Sequence, residues 1–256
     1  MKRLKELFLR KRERVLNVYC TAGFPQKDST LAVMTTLQQA GADIIELGIP
    51  YSDPLADGTT IQASSSQALA NGMTVKLLFE QLQGFRQSIH VPVVLMGYLN
   101  PVLQFGFEAF CQSAAAAGID GLIIPDLPMH EYETVYGEIL KKYGLDFIFL
   151  VTPETTEDRI RRADRLSSGF LYAVSSSSLT GSAKDFTAVE AYLQRLQQMQ
   201  LHNPVLVGFG IKDRQTFDLA SRYTNGAIVG SAYIEAIRQA TDMEETTRQF
   251  LAGITG

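Results

Sequence analysis

The chain has 256 residues, 46% of them hydrophobic, and a formal net charge of −4. That length suits one eight-unit α/β barrel or one to two smaller domains, with enough apolar material for a sizeable core. The weakly acidic balance argues against a general nucleic-acid binder, and no apolar run reaches the length that spans a bilayer.

The N-terminal segment MKRLKELFLRKRER is basic, with Leu4, Leu7 and Phe8 at helical spacing. It reads as a short amphipathic helix that caps one end of the domain; a membrane-surface or nucleic-acid role is the weaker alternative. It lacks the apolar stretch and small-residue cleavage site of a signal peptide, and Glu6 and Glu13 interrupt the basic run expected of a transit peptide. Cys20 and Cys111 lie in apolar contexts without CxxC spacing, so they read as small core residues in a reducing compartment, and a cytoplasmic location is expected.

Strand-like runs alternate with helical patterns along the whole chain. The strand candidates are Val15–Cys20, Asp43–Gly48, Val91–Met96, Gly121–Pro125, Asp146–Val151, Gly169–Val174, Pro204–Val207 and Ala227–Val229. These nearly continuous apolar runs fit parallel strands buried on both faces. Helices are expected over Ser29–Gln39, Val75–Gln87, Phe107–Ala117, Glu131–Tyr143, Glu157–Leu166, Ala188–Gln200, Asp213–Tyr223, Ala232–Ala240 and Met243–Ala252. Gly41, Gly118, Gly144 and Gly169 follow helices, where a left-handed residue is often needed. Eight βα units argue for a single (β/α)8 barrel spanning residues 1–256. An open doubly wound sheet is the runner-up, but TAGFP after the first strand is not its glycine fingerprint.

In a barrel the chemistry sits where strands end. Asp43–Gln62 runs from a buried-looking strand carrying Glu46 into a loop carrying Asp53 and Asp57. An ionised Glu46 in an apolar run is costly, whereas a polar loop keeps Asp57 ionised; two carboxyls in unlike surroundings suit acid/base chemistry. The competing reading is a satisfied buried carboxylate and a turn-forming aspartate. Ser175–Ser182, after the sixth strand, is small and polar and suits a mobile lid. Gly208-Phe209-Gly210 and Gly230-Ser231, after the seventh and eighth strands, suit a phosphate site, the alternative being glycines that only turn the chain. His90 and His202 precede strands and so belong to the opposite face, which disfavours a histidine-built metal site. Lys184 and Lys212 lie in the late loops, giving a Schiff-base lysine only weak support. Carboxylate catalysis on a phosphate ester remains, without a named substrate.

The segment ELGIPYSDPLADGTTIQ closely resembles the signature of the tryptophan synthase alpha chain family, with Tyr51 where Phe is usual and Thr59 where Pro is usual. TAGFP, PDLP, LTG, GFG and GSA occur in the family's order, so the resemblance covers the whole chain. It implies a (β/α)8 barrel that cleaves indole-3-glycerol phosphate to indole and glyceraldehyde 3-phosphate. It implies Glu46 and Asp57 as catalytic residues, and Gly181, Gly210, Gly230 and Ser231 as the phosphate cradle. Tyr172, Ile61, Met96 and Phe209 match positions around the indole, Tyr19 stands at the pocket floor where Phe is frequent, and Thr180 of LTG falls in the substrate-covering loop. Asp53 and Asn100 match positions facing a beta chain, the partner of an alpha2beta2 assembly. Pyridoxal phosphate is expected in that partner, with no cofactor or metal in this chain. Ser176–Ser178 replace the usual Arg-x-Gly of the sixth loop. Two rival readings stay open: a free-standing lyase of the same fold, and a catalytically weak barrel kept as an allosteric binding subunit. A sugar-phosphate isomerase would share the cradle but has no use for an aromatic-sized pocket.

Overall fold

The computed structural model describes residues 2–175, 183–208 and 210–256. Its strands are β1 (Val15–Thr21), β2 (Ile44–Gly48), β3 (Val93–Met96), β4 (Gly121–Ile123), β5 (two pieces, Asp146–Phe147 and Leu150–Val151), β6 (Leu171–Val174), β7 (Val205–Gly208) and β8 (Gly226–Val229). All pairings are parallel. The sheet order is β5–β4–β3–β2–β1–β8–β7–β6–β5, so both ends of the sheet belong to one run of chain. The first piece of β5 pairs with β4 and the second with β6. Between the pieces, Ile148 N–H donates to Leu122 O at 3.0 Å, and Phe149 O accepts from Tyr172 N–H at 3.0 Å. That run closes the barrel and leaves no open edge.

Two apolar layers follow from strand alternation. Val15, Ile44, Val94, Ile123, Ile148, Phe170, Leu206 and Ile228 fill the barrel interior. Leu4, Leu7 and Phe8 of helix Arg3–Arg10 join the same cluster, with the Phe8 and Phe170 rings 6.3 Å apart, so the N-terminal helix plugs the bottom of the barrel. Residues pointing the other way, such as Leu16, Val18, Ile45, Leu47 and Leu95, pack against the surrounding helices. Both cysteines are buried free thiols. No helix among the described residues is long and apolar enough to cross a membrane.

Most expected elements are present with shifted ends. Strand β3 starts at Val93 rather than Val91, after Pro92, which has no N–H to give a ladder. The helix expected over Glu131–Tyr143 begins at Met129 and contains a wide turn over Tyr132–Tyr136. The helix after β6 starts at Ala183, not Ala188. Two helices were not expected, Thr59–Ala70 and Leu99–Phe105. The first is rich in Ser and Thr and lacks a clear apolar stripe; its Ser64 is fully buried and hydrogen-bonds Thr21 at 2.7 Å. The second carries Pro101 in its first turn, where the missing N–H breaks no helical bond. Gly41, Gly118, Gly144 and Gly169 all take positive φ, as their places after helices predict.

Candidate active site

Glu46 points into the upper half of the barrel from β2, beside Tyr19 of β1 in the strand register. It is 1% exposed. Its carboxylate accepts a 2.8 Å hydrogen bond from Asn17 Nδ2, two residues below Tyr19 on β1. Burial pushes the Glu46 carboxyl up to about 8, with the Asn17 bond opposing and the charge of Asp57 adding to the rise. A carboxyl titrating there exchanges a proton near neutral pH, as a residue that both gives and takes protons requires.

Asp57 differs from the loop expectation. It is half-buried, and burial pushes its carboxyl upward, with the Tyr98 hydroxyl opposing the rise. The expected fully polar setting is therefore corrected. The loop is folded down by contacts from the next βα unit, where Tyr98 Oη accepts the Ala56 N–H at 3.0 Å and the Tyr51 and Tyr98 rings lie 5.4 Å apart. Glu46 remains the more deeply buried of the two.

Both carboxyls line one cavity of about 360 Å³ at the C-terminal end of the barrel. Tyr19, Ile61, Met96, Tyr172 and Ile228 give it mainly apolar walls. Its other end is formed by Gly210, Ile211, Lys212, Gly230, Ser231 and Ala232. Gly210 turns the chain at φ 75°, and Gly230 precedes helix Ser231–Ile237. Backbone N–H groups of such a loop and helix start carry no side chains to block an anion. Lys212 adds a positive charge at this end and makes no ion pair among the described residues. One cavity thus joins an apolar slot, two carboxyls and an anion-friendly end.

Nine residues expected at the site from sequence converge there: Tyr19, Glu46, Asp57, Ile61, Met96, Tyr172, Gly210, Gly230 and Ser231. Thr180, Gly181 and Phe209, and the Ser176–Ser182 part of the sixth loop, lie outside the described residues. Asp53 and Asn100 do not line the cavity. They are exposed on neighbouring loops tied together by the 3.2 Å bond from Asn100 Nδ2 to Tyr51 Oη, with Leu55 83% exposed in the same loop as Asp53. Among the described residues, no group of three or more His, Cys, Asp or Glu side chains is arranged to hold a metal ion.

Asn17, Tyr98 and Gly48 contribute to the site without being singled out in the sequence, and Lys212 and Gly208 contribute in ways other than those expected. Asn17 is a polar residue inside an apolar strand, and that oddity is a signal the sequence does carry. Tyr98 and Lys212 sit in strand-end loops, where aromatic and cationic side chains are worth testing. Gly48 has a role visible only across strands: a Cβ there would stand 2.0 Å from Tyr19 Oη. Gly208 does the same for Tyr172, at 2.3 Å. The two tyrosines can lie along the pocket wall because the facing strand carries no side chain at either place.

Comparison with known proteins agrees with this geometry. Residues 6–254 match the model of the family described as tryptophan synthase alpha chain. The tryptophan synthase alpha chain of Flavobacterium johnsoniae is 50% identical over 233 residues, covering 91% of this chain and 92% of that protein. The one from Bacteroides thetaiotaomicron is 46% identical over 246 residues, covering 96% of each. Among solved structures, tryptophan synthase subunit alpha from Legionella pneumophila superposes with a TM-score of 0.90 at 33% identity, covering 100% of this chain and 97% of that one. A chain of the tryptophan synthase complex from Pyrococcus furiosus gives 0.85 at 34% identity, covering 95% and 98%. The buried Glu46, the half-buried Asp57 and the glycine-built end of their cavity are therefore features of a chain that belongs to the tryptophan synthase alpha chain family.

Proposed function

We propose that the chain cleaves indole-3-glycerol phosphate to indole and D-glyceraldehyde 3-phosphate, as the alpha subunit of tryptophan synthase. The observation that carries the reading is the single cavity that holds Glu46 and Asp57 against an apolar, aromatic-walled slot and ends in Gly210, Lys212, Gly230 and Ser231. The indole lies in the slot between Tyr19, Ile61, Met96 and Tyr172. The phosphate sits on Gly210, Gly230 and Ser231, with the Lys212 charge beside it.

The reaction is a retro-aldol step. C3 of the indole gains a proton, the C3′ hydroxyl loses one, and the C3–C3′ electron pair moves into the ring to restore indole. The proton count balances within the substrate and Glu46. Glu46 gives the proton to C3 and takes the one from the hydroxyl, a double duty that suits a carboxyl titrating near neutrality. Asp57 accepts the indole N–H as positive charge grows on the ring, a role its partly desolvated carboxylate performs better than one in bulk water. The ring serves as the electron sink, so pyridoxal phosphate belongs to the beta-chain partner in this reading. Glu46→Gln should lower kcat by at least about 10²-fold with phosphate-ester affinity kept; wild-type turnover in that variant would overturn the assignment.

The partner reading rests on the exposed loop at Asp53 and Leu55 and on neighbouring Asn100. Leu55, flanked by Pro54 and Ala56 and fully presented at 83% exposure, suits a surface that a partner covers. This loop reaches Asp57 through Ala56 and Tyr98, so a beta chain seated on it would press directly on a catalytic group. In this reading, as the family resemblance implies, the assembly is alpha2beta2 and its place the cytoplasm. Indole release by the purified chain, with and without a beta chain, tests this: a sharp rise on mixing fits the subunit, and fast release alone fits a free-standing lyase. Stimulation of the beta chain without any cleavage would fit a binding subunit.

A further inference from the structure

Asn17 is fully buried in the barrel interior, paired in register with Ile44 and Ile228. Neither strand neighbour offers its amide a polar side chain. A buried amide without partners costs roughly 1–3 kcal/mol, so valine or leucine at this place would serve the fold better. Its Nδ2 donates to Glu46 Oε2 at 2.8 Å, while its Oδ1 is buried with no hydrogen-bond partner among the described residues. Among the described residues this is the one side-chain hydrogen bond that Glu46 makes. The amide therefore costs the fold an orphaned acceptor and returns a single contact, to the carboxyl that the proposed reaction uses.

We propose that Asn17 is the positioning residue for Glu46: its amide holds the carboxylate in one orientation and stabilises its ionised form. The inference rests on the catalytic reading of Glu46 given above. An N–H donor cannot serve a protonated oxygen equally well, so the contact favours the state that accepts the hydroxyl proton. The other titratable groups facing Glu46 do not supply this. Tyr19 and Cys20 on β1, Tyr172 on β6 and Asp57 on its loop all disfavour a second negative charge or are neutral, and Lys212 lies at the far, solvent-exposed end of the cavity.

The test compares the purified chain with Asn17→Leu, close in shape but without a donor, and Asn17→Asp. Two readouts are needed. The Glu46 carboxyl is titrated directly by NMR with carbon-13-labelled glutamate, its resonance assigned by its loss in Glu46→Gln. The pH profile of kcat is measured alongside KM. Both variants should raise the Glu46 titration midpoint and move the Glu46-controlled limb of kcat upward by the same amount, with KM within about twofold. Each pH unit of movement corresponds to about a tenfold change in proton affinity. An unchanged midpoint in a folded variant would overturn the proposal, whatever happened to kcat. Asn17→Ala, which also lacks a donor, carries the same comparison if the leucine variant does not fold. If Glu46→Gln kept full turnover while Asn17→Leu still moved the midpoint, the contact would stand and the catalytic reading beneath it would fall.

Discussion

Tyr19 lies flat across Gly48 of the neighbouring strand: a Cβ at residue 48 would meet Tyr19 Oη at 2.0 Å and Cζ at 2.4 Å. The tyrosine ring is buried at 7% exposure and cannot swing away cheaply. Gly48→Ala should therefore push the ring into the substrate slot and cost about 1–3 kcal/mol of stability, with a larger loss in substrate affinity. Tyr19→Leu should relieve much of that strain, so the double variant should be less damaged than the sum of the single ones. Additive losses in thermal unfolding and KM would show that the two residues do not share the space.

Glu46 predicts a trade between activity and stability. Its carboxyl is raised from an ordinary value of 4.5 to about 8. The folded state thus binds the proton more tightly than the unfolded chain. Its contribution to stability is complete below about pH 4.5 and is lost as pH rises to about 8. Glu46→Gln cannot ionise, so it should match the parent below about pH 4 and exceed it increasingly as pH rises to about 8, by on the order of 5 kcal/mol at the top. Paired denaturation curves at several pH values check this, and a gap that does not grow with pH would mean that Glu46 is not held in an ion-hostile place.

The barrel was legible in the sequence because strands buried on both faces read as unbroken apolar runs, and eight of them recur between helical patterns. Glu46 was legible for the converse reason, as a carboxylate inside such a run. Asp57 was legible as a residue but not in its surroundings, because the side chain that lowers the loop onto it, Tyr98, comes from the next βα unit. Helix Thr59–Ala70 was hidden by its serines and threonines, which usually favour turns and caps. Pro101 hid helix Leu99–Phe105 in the same way. Asn17 and Gly48 act across strands, and cross-strand neighbours emerge only with the register.

Lys212 sits at the anion end of the cavity, exposed and without an ion pair among the described residues. Its charge should strengthen binding of the phosphate without touching the bond that breaks. Lys212→Gln should raise KM roughly five- to tenfold at low salt, leave kcat nearly unchanged, and flatten the salt dependence of KM. Inhibition by inorganic phosphate should weaken in parallel. A fall in kcat at constant KM would move Lys212 from the phosphate to the chemistry.

At the opposite end of the barrel, Arg86 joins the loops before β3 and β4 by donating to Ile89 O at 3.2 Å, Val91 O at 2.7 Å and Gly118 O at 2.9 Å, and it pairs with Asp120. Asp120, only 7% exposed at its side chain, also accepts the Val93 N–H at 2.8 Å, at the start of β3. Arg86→Met leaves a buried carboxylate without its main counter-charge, and Arg3 reaches it only from the surface at 3.2 Å. The variant should lose about 3–5 kcal/mol of stability while kcat and KM stay near the parent values below its melting temperature. Adding Asp120→Asn should recover part of the loss, because the amide oxygen still accepts from Val93 and no charge is stranded. If the second change deepened the loss, the cost would lie in the three carbonyls that Arg86 serves rather than in the ion pair.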